Sequence, residues 1–301
     1  MLSEAHARLH LPSLAMAGCI HMAVERDTRG LQLSRTQRLS FYPASPLPSV
    51  SWIFEGELRM VEDQDGIQDL VLSEPLPRLV FTGPSRKPSA SWSPGAVHAL
   101  SVGFYPDALS RLLGIRAEDY VDMVLPLKGL VSGAVLDTLA SIDSTDGPPF
   151  EQVESALQPL WRDIGAGKGA ADMRSWLASL ASRAAFTRAG TGVRQLQRSI
   201  KGLAGQSQRD LQIYARTEKA FALSESGDPE KMSLAEVAAV AGYSDQSHLG
   251  REVKRVTGFS PRQFGDRLRN DESFWMYRLL CDYLQDGEAN TKNRNCGPFN
   301  P

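Results

Sequence analysis

The chain has 301 residues, of which 42% are hydrophobic and 23% are charged, and its formal net charge is −2. This composition is typical of a soluble globular protein, and the length exceeds what one hydrophobic core normally covers, so we expect two domains. The three cysteines are too few and too scattered for a disulfide framework or a zinc site, which indicates a reducing cytosol.

We expect no targeting or membrane segment. Residues 1–8 contain Glu4 and no long apolar core, unlike a secretory signal. No run approaches the roughly 18–20 apolar residues that a membrane-spanning helix needs. The five histidines are isolated from one another, and no nucleophile elbow occurs. The sequence thus predicts a cytoplasmic protein without membrane contact, metal, cofactor or enzyme activity.

The charge is unevenly divided along the chain. Residues 183–269 contain 15 Lys or Arg and nine Asp or Glu, a net charge of +6, which leaves −8 for the rest. A basic C-terminal half beside an acidic N-terminal half indicates a nucleic-acid partner.

The segment 1–126 is predicted to be β-rich. Short apolar runs are separated by turn-forming residues such as Pro43, Gly66 and Gly83, a pattern that favours a sandwich or barrel. The predicted strands lie in residues 15–22, 39–42, 50–54, 58–61, 70–72, 79–81 and 97–104.

Helices are predicted from residue 106 onward. Pro106 begins a short helix and Gly114 ends it. A helical connector follows, and it ends in a glycine-rich joint at residues 165–169. The fold class is therefore α+β, with a β-rich, sandwich- or barrel-like N-terminal domain before an all-α domain. The predicted units are the β-rich domain 1–126, the connector 127–169, the helical domain 170–270, and a C-terminal helix and tail 271–301.

A first helix-turn-helix motif is predicted in the helical domain, because a pattern around Leu196 recurs 53 positions later around Leu249. Leu196, Ile200 and Leu203 form its predicted inner stripe, and its outward face is basic. We predict that Arg194, Gln197 and Arg198 contact bases and that Lys201 contacts phosphate.

The helix predicted at residues 210–223 joins the two motifs and sets their separation. A distance near 34 Å would match one turn of DNA. Its predicted buried stripe consists of Leu211, Tyr214, Ala215, Glu218 and Ala222.

The second motif has clear start and stop signals. A Ser-x-x-Glu capping box begins its first helix, and glycines able to adopt left-handed backbone end both helices. Two short capped helices separated by a tight turn are typical of a helix-turn-helix. The residues predicted to form its turns and caps are Ser233, Glu236, Gly242, Ser244, Gly258, Ser260 and Pro261.

The outward face of its second helix lies opposite an inner stripe of Leu249, Val253 and Val256. Side chains on this face can donate to base edges, and an arginine can bind guanine with two hydrogen bonds. We predict that Gln246, Ser247, His248 and Arg251 contact bases and that Lys254 and Arg255 contact phosphate.

An aromatic helix is predicted after Asn270. Its aromatic side chains, which include Phe274, Trp275 and Tyr277, are expected to be packed core or a domain contact. The polar segment after Gly287 is expected to be a disordered tail.

The second motif resembles the second helix-turn-helix of AraC/XylS bacterial transcription regulators. The resemblance is carried by residues 242–249, by Arg251 and Lys254, and by residues 258–261. It implies two motifs, joined by a rigid helix, that contact successive major-groove segments on one face of DNA. In the first motif, residues 189–192 depart from the Gly-aromatic-Ser turn of the family.

The N-terminal segment is similar to an uncharacterised β-rich domain found in a subgroup of these regulators, on residues 83–84, 102–106 and 113–114. The resemblance implies a sensor or dimerisation role. The implied function is a sequence-specific transcription regulator, an activator or a repressor, with double-stranded promoter DNA as partner. RNA polymerase, a small-molecule effector and a homodimer partner are further candidates. Two alternatives stay open: an interaction module with non-specific DNA binding, and a small-molecule enzyme in the N-terminal half.

Overall fold

A computed structural model of the protein describes residues 6–64, 70–163, 175–179, 193–224 and 232–294. An antiparallel β-region is followed by a helical C-terminal region, which confirms the α+β class. The strands are β1 (Ala7–His10), β2 (Ile20–Asp27), β3 (Leu39–Tyr42), β4 (Ser49–Glu55), β5 (Arg59–Gln64), β6 (Leu70–Leu72), β7 (Leu79–Thr82), β8 (Ser89–Trp92), β9 (His98–Phe104) and β10 (Val124–Pro126).

Three helices complete the N-terminal half and six follow in the C-terminal half, within the described residues. A short helical stretch also occupies residues 175–179. The helices are α1 (Pro106–Leu113), α2 (Gly133–Ser141), α3 (Pro149–Asp163), α4 (Val193–Ala204), α5 (Gln208–Ser224), α6 (Leu234–Ala241), α7 (Gln246–Thr257), α8 (Pro261–Asn270) and α9 (Trp275–Arg294).

The strands form two antiparallel sheets. The larger has six strands in the order β1-β2-β9-β4-β7-β10, and the smaller has four in the order β3-β8-β5-β6. In the larger sheet, Ser51 lies opposite Ser101 and Trp52 lies opposite Leu100. Because side chains alternate between the two faces of a strand, Ser51 and Ser101 share one face of the sheet and Trp52 and Leu100 share the other.

The apolar face of the six-stranded sheet forms the first core. Val50, Trp52 and Leu100 are at most 1% exposed and pack against α1, α2 and α3. The Trp52 indole N–H donates to the Leu139 carbonyl at 2.7 Å, which ties α2 to the sheet. The helices of the predicted connector are therefore part of the N-terminal core and do not stand apart from it. Ile200 of α4 packs into the same core.

The four-stranded sheet packs against the C-terminal helices and forms the second core. Leu39 and Phe41 of β3 contact the buried side chains of Phe264, Phe274 and Tyr277. Each sheet therefore turns one apolar face outward onto helices. The aromatic helix α9 is a contact between the β-region and the helical domain, as its composition predicts.

The structure corrects several boundaries. Residues 15–19 form turns, and the strand begins at Ile20. β1, β8 and β10 were not predicted, because they are short and β8 (Ser-Ala-Ser-Trp) lacks an apolar run. Helix α9 continues past Gly287 to Arg294, and the rest of the predicted tail lies outside the described residues, as does the joint at 165–169. In the described part of the chain, no helix has the length and apolarity to span a membrane.

Candidate nucleic-acid interface

The capping residues of the second motif set the positions of α6 and α7. Ser233 Oγ accepts from the backbone N–H of Glu236, whose carboxylate accepts from the backbone N–H of Ser233. Gly242 ends α6 with φ of 86°, in the left-handed region that favours glycine. These contacts satisfy backbone groups that helix ends leave without partners.

The residue that caps α7 is Asp245 and not Ser244, which corrects the sequence prediction. Asp245 Oδ1 accepts from the backbone N–H of His248 at 2.7 Å, and this bond holds the pKa of the Asp245 carboxyl below its ordinary value. Ser244 Oγ lies 3.1 Å from both Asp245 Oδ2 and His248 Nδ1. Ser244 therefore supports the cap from one position outside the helix.

Helix α7 has one buried and one exposed face. Leu249, Val253 and Val256 are at most 4% exposed and pack inward. Gly258 ends the helix with φ of 85°, and α8 then begins with Pro261 at its first position and Ser260 as its cap. The predicted DNA-contacting side chains on the exposed face of α7 are Gln246, Ser247, Arg251 and Lys254.

Two further predicted DNA-contacting residues on α7 already have protein partners. The His248 imidazole lies 3.1 Å from Ser244 Oγ and 3.1 Å from Glu252 Oε1, and its ring packs edge-on against Tyr243. The Arg255 guanidinium forms an ion pair with Asp210 of α5. A contact from either residue to DNA therefore has to compete with these internal bonds.

Helix α4 presents the basic face of the first motif. Its exposed side chains include Arg194, Gln197, Arg198 and Lys201. Ile200 is buried, whereas Leu203 of the predicted inner stripe is 38% exposed. The inward side of α4 packs against α1 and against the turn near Ala117. The side chain of Leu196 and the turn at 189–192 lie outside the described residues.

Helix α5 joins the two motifs. Leu211, Tyr214 and Ala222 are buried as predicted, whereas Ala215 and Glu218 are half-buried. Arg216 of α5 donates through Nη2 to both carboxylate oxygens of Glu252 on α7, each at 2.9 Å. These bonds hold α7 against α5.

Two loops of the β-region bind the helical domain directly. The Tyr214 hydroxyl lies 3.0 Å from the Ser85 carbonyl oxygen and 2.8 Å from Gln206 Oε1, and burial raises the pKa of Tyr214 to about 12. Gln206 Nε2 donates to the carbonyls of Ser45 and Ser85 at 3.3 Å. Sequence reasoning missed Gln206 and Ser85, because neither carries a local signal for a contact between segments so far apart.

The β-region also touches α7. The backbone N–H of Ala44 donates to the Val256 carbonyl of α7 at 2.8 Å. A Cβ atom added at Gly258 would lie 3.3 Å from Pro88. Both helix-turn-helix motifs are thus in contact with the N-terminal domain. Within the described residues, no cluster of three or more His, Cys, Asp or Glu side chains could hold a metal ion.

Comparison with known proteins identifies the helical domain. Residues 186–267 match a family model described as a helix-turn-helix domain. A search of curated proteins gave no match. Among solved structures, an apo form of ToxT from Vibrio cholerae is similar, with 14% identity and a TM-score of 0.39 over 81% of this chain and 96% of ToxT. The AraC-like transcriptional activator CuxR is 12% identical, with a TM-score of 0.23 over 83% of this chain and 91% of CuxR.

Proposed function

We propose, from the premise that residues 186–267 form an AraC-type helix-turn-helix domain, that the protein is a sequence-specific transcription regulator. The observation that supports this best concerns α4 and α7, the second helices of the two motifs. Each has an exposed, basic outward face. Arg194, Gln197 and Arg198 on α4, and Gln246 and Arg251 on α7, are all exposed. The two helices contact adjacent major-groove segments, and their arginines discriminate bases.

The remaining predicted DNA-contacting residues differ in whether their side chains already bind other residues of the protein. The Lys201 and Lys254 side chains are exposed and form no hydrogen bond or ion pair with other described residues, so they serve as phosphate contacts. Ser247 contacts a base edge. His248 and Arg255 reach DNA only by exchanging internal bonds, so their contribution to affinity is smaller than that of Arg251.

The N-terminal domain acts as the sensor of a signal that is transmitted to DNA. The contacts of Ser45, Ser85 and Ala44 with the helical domain support this role, because they give the β-region a direct connection to α5 and α7. The site of action is the cytoplasm, with promoter DNA as the main partner. RNA polymerase, a small-molecule effector and a second copy of the chain are the additional partners in this proposal, which includes no enzymatic step.

The test is selection of preferred sites from a random DNA pool with the purified full chain, followed by fluorescence anisotropy on the selected duplex. Arg251→Ala should lose about 1–3 kcal/mol on the selected site and relax the preference at one base pair. Arg198→Ala should do the same about one helical turn away, 10–10.5 base pairs in B-DNA. Arg162→Ala, an exposed change on α3, is the matched control and should leave binding unchanged.

Two results would contradict the proposal. If the pool yields no preferred sequence while binding remains steeply salt-dependent, the domain binds DNA without specificity. If Arg251→Ala loses the same affinity on every duplex, Arg251 contacts phosphate and not a base.

A further inference from the structure

The space between the two sheets is a cavity of about 770 Å³. In most two-sheet proteins, inward-facing large apolar side chains fill this space. Here the alternation is inverted: along β4, Val50 and Trp52 face outward to the first core, and Ser49 and Ser51 face the cavity. The volume falls within the range of small-molecule sites, which is about 300–1,000 Å³.

The same inversion is repeated on neighbouring strands. Along β9, Leu100 and Val102 face outward, whereas Ser101 and Gly103 line the cavity. On the opposite wall, Ser89 and Ser91 of β8 line it. Small side chains therefore occupy several inward positions on both sheets, so the open space is a property of the sequence pattern and not a local packing defect.

Hydroxyl groups on both walls provide hydrogen-bonding capacity. Ser51 Oγ and Ser101 Oγ are 2.7 Å apart on one sheet, and the Tyr42 hydroxyl lies 3.0 Å from Ser91 Oγ on the other. The Trp275 indole N–H donates to Ser40 Oγ at 2.9 Å. A hydroxyl offers one donor and two acceptor positions, so these groups can also bond to a polar group of a ligand.

The cavity is apolar at one end. Ile53, Val80 and Val97 form a cluster there, with Leu58 and Leu76 packed against it, and all five line the cavity. A bound molecule would therefore place its hydrocarbon part at this end and its polar group near the serines.

Three side chains that are charged at neutral pH line the cavity: Arg26, Glu218 and Lys219. The Arg26 guanidinium donates to Glu272 Oε1 at 2.6 Å and lies 5.2 Å from the centre of the Trp275 ring. Glu218 and Lys219 on α5 have opposite formal charges, so with Glu272 against Arg26 the formal charges at the cavity sum to zero. A charged ligand transferred into this space would need a counter-charge of its own, because a buried charge without one is costly.

We propose that the cavity binds an uncharged, mainly apolar molecule carrying a hydroxyl, carbonyl or ester group. This inference rests on the proposed sensing role of the N-terminal domain and names the ligand class for it. Tyr214, Thr217 and Phe221 of α5 also line the cavity, so the ligand touches the helix that joins the two DNA-binding motifs. Ligand occupancy then alters the position of α5 and, through it, the spacing of α4 and α7.

The experiment uses the full chain without DNA. The uncharged dye N-phenyl-1-naphthylamine, which fluoresces in apolar surroundings, is titrated into the protein and displaced by three ten-carbon competitors at neutral pH: decan-1-ol, δ-decalactone and decanoate. We expect the alcohol and the lactone to displace the dye at concentrations at least about tenfold lower than decanoate does, because only decanoate brings a charge. Equal or stronger displacement by decanoate would overturn the assignment to an uncharged ligand.

Variants locate the site. Ser101→Leu narrows the cavity from the larger sheet and Ser89→Leu narrows it from the smaller one, and each should weaken dye binding while circular dichroism stays unchanged. If either variant folds and still binds the dye like the wild type, the dye site is elsewhere. Having two positions keeps the test decisive should one leucine prevent folding.

A double variant separates polar recognition from cavity shape. Ser51→Ala with Ser101→Ala removes two hydroxyls without filling space, so the dye should bind as before while displacement by the alcohol and lactone weakens about threefold to tenfold. Unchanged displacement would refute recognition by these serines.

DNA affinity is measured separately from ligand binding. A chain that binds the ligands but no DNA refutes the proposed regulator function, and a chain that binds DNA but no ligand refutes the proposed ligand site.

Discussion

Arg255 on α7 and Asp210 on α5 form an ion pair, with 2.5 Å between Nη2 and Oδ1. The two residues are 45 positions apart, and the pair connects α7 to α5, the helix between the two motifs. Burial raises the pKa of Asp210, but the bonds from Ser207 and Arg255 outweigh this effect and hold the pKa below its ordinary value. One of the cations predicted to contact phosphate is therefore partly neutralised in the protein without DNA.

Replacing Asp210 with Asn should release Arg255 for DNA. The pair is partly exposed, so we expect a stability loss of no more than about 1 kcal/mol. Non-specific DNA affinity should increase, and the slope of log K against log salt should steepen by about 0.9 if Arg255 then binds one phosphate. Anisotropy titrations at several salt concentrations measure this slope. Adding Arg255→Ala to Asp210→Asn should cancel the change, and an unchanged slope in the single variant would place Arg255 away from phosphate.

Lys254→Ala should weaken binding to all duplexes by the same factor and flatten the salt slope by about 0.9, because a lysine at a phosphate carries no sequence information. Competition between the selected duplex and an unrelated one provides the measurement. Lys128→Ala, a change at another exposed lysine in the N-terminal half, is the matched control. A loss confined to the selected duplex would instead assign Lys254 to a base.

Trp176 joins the segment before the first motif to the N-terminal core. Its indole N–H donates to Asp107 Oδ1 at 2.8 Å, its ring stacks on Tyr105 with 5.6 Å between centres, and it is 2% exposed. Trp176→Phe keeps an aromatic ring beside Tyr105 but loses the indole N–H bond to a buried carboxylate, so unfolding in urea should show a loss of about 1–3 kcal/mol. A double-mutant cycle with Asp107→Asn should give a non-zero coupling energy, and additive single effects would rule the bond out.

Glu25 gives the β-region an acid-sensitive contribution to stability. Its carboxylate lies 2.9 Å from His10 Nε2 and 2.8 Å from His98 Nε2. The His10 bond is the main cause that lowers the Glu25 pKa from 4.5 to about 2, against the opposing effect of burial, and the His98 bond adds to it. Because the folded-state pKa is lowered, this contribution is present above about pH 4.5 and is lost as the pH falls toward 2.

Glu25→Gln should therefore destabilise the protein by about 2–3 kcal/mol at pH 7, a difference that shrinks as the pH falls below 4.5. Urea unfolding of both proteins across this pH range gives the two curves to subtract. Glu55→Gln, at an exposed position, serves as the control and should show little effect at any pH. A difference that stays constant with pH would mean that Glu25 is not the titrating group.

The residues that begin and end helices were predictable because their effects are local. The Ser233–Glu236 box, the left-handed Gly242 and Gly258, and Ser260-Pro261 each act within a few residues of chain. Where two capping residues are adjacent, local signals no longer decide. Asp245 caps α7, and Ser244 does not, because the Asp245 carboxylate is the one that reaches the backbone N–H of His248.

The sequence by itself determined the α+β class, the helix-turn-helix pattern and the side chains on its outward face, since helical and strand periodicity depend on neighbours along the chain. Only the tertiary structure decided which of these side chains already bind other residues of the protein. The Arg255–Asp210 pair and the Gln206–Ser85 contact join residues 45 and 121 positions apart, and no local pattern encodes such distances. The same holds for the cavity: Ser-Ala-Ser-Trp in β8 shows no apolar run, and its serines acquire a role only when the two sheets face each other.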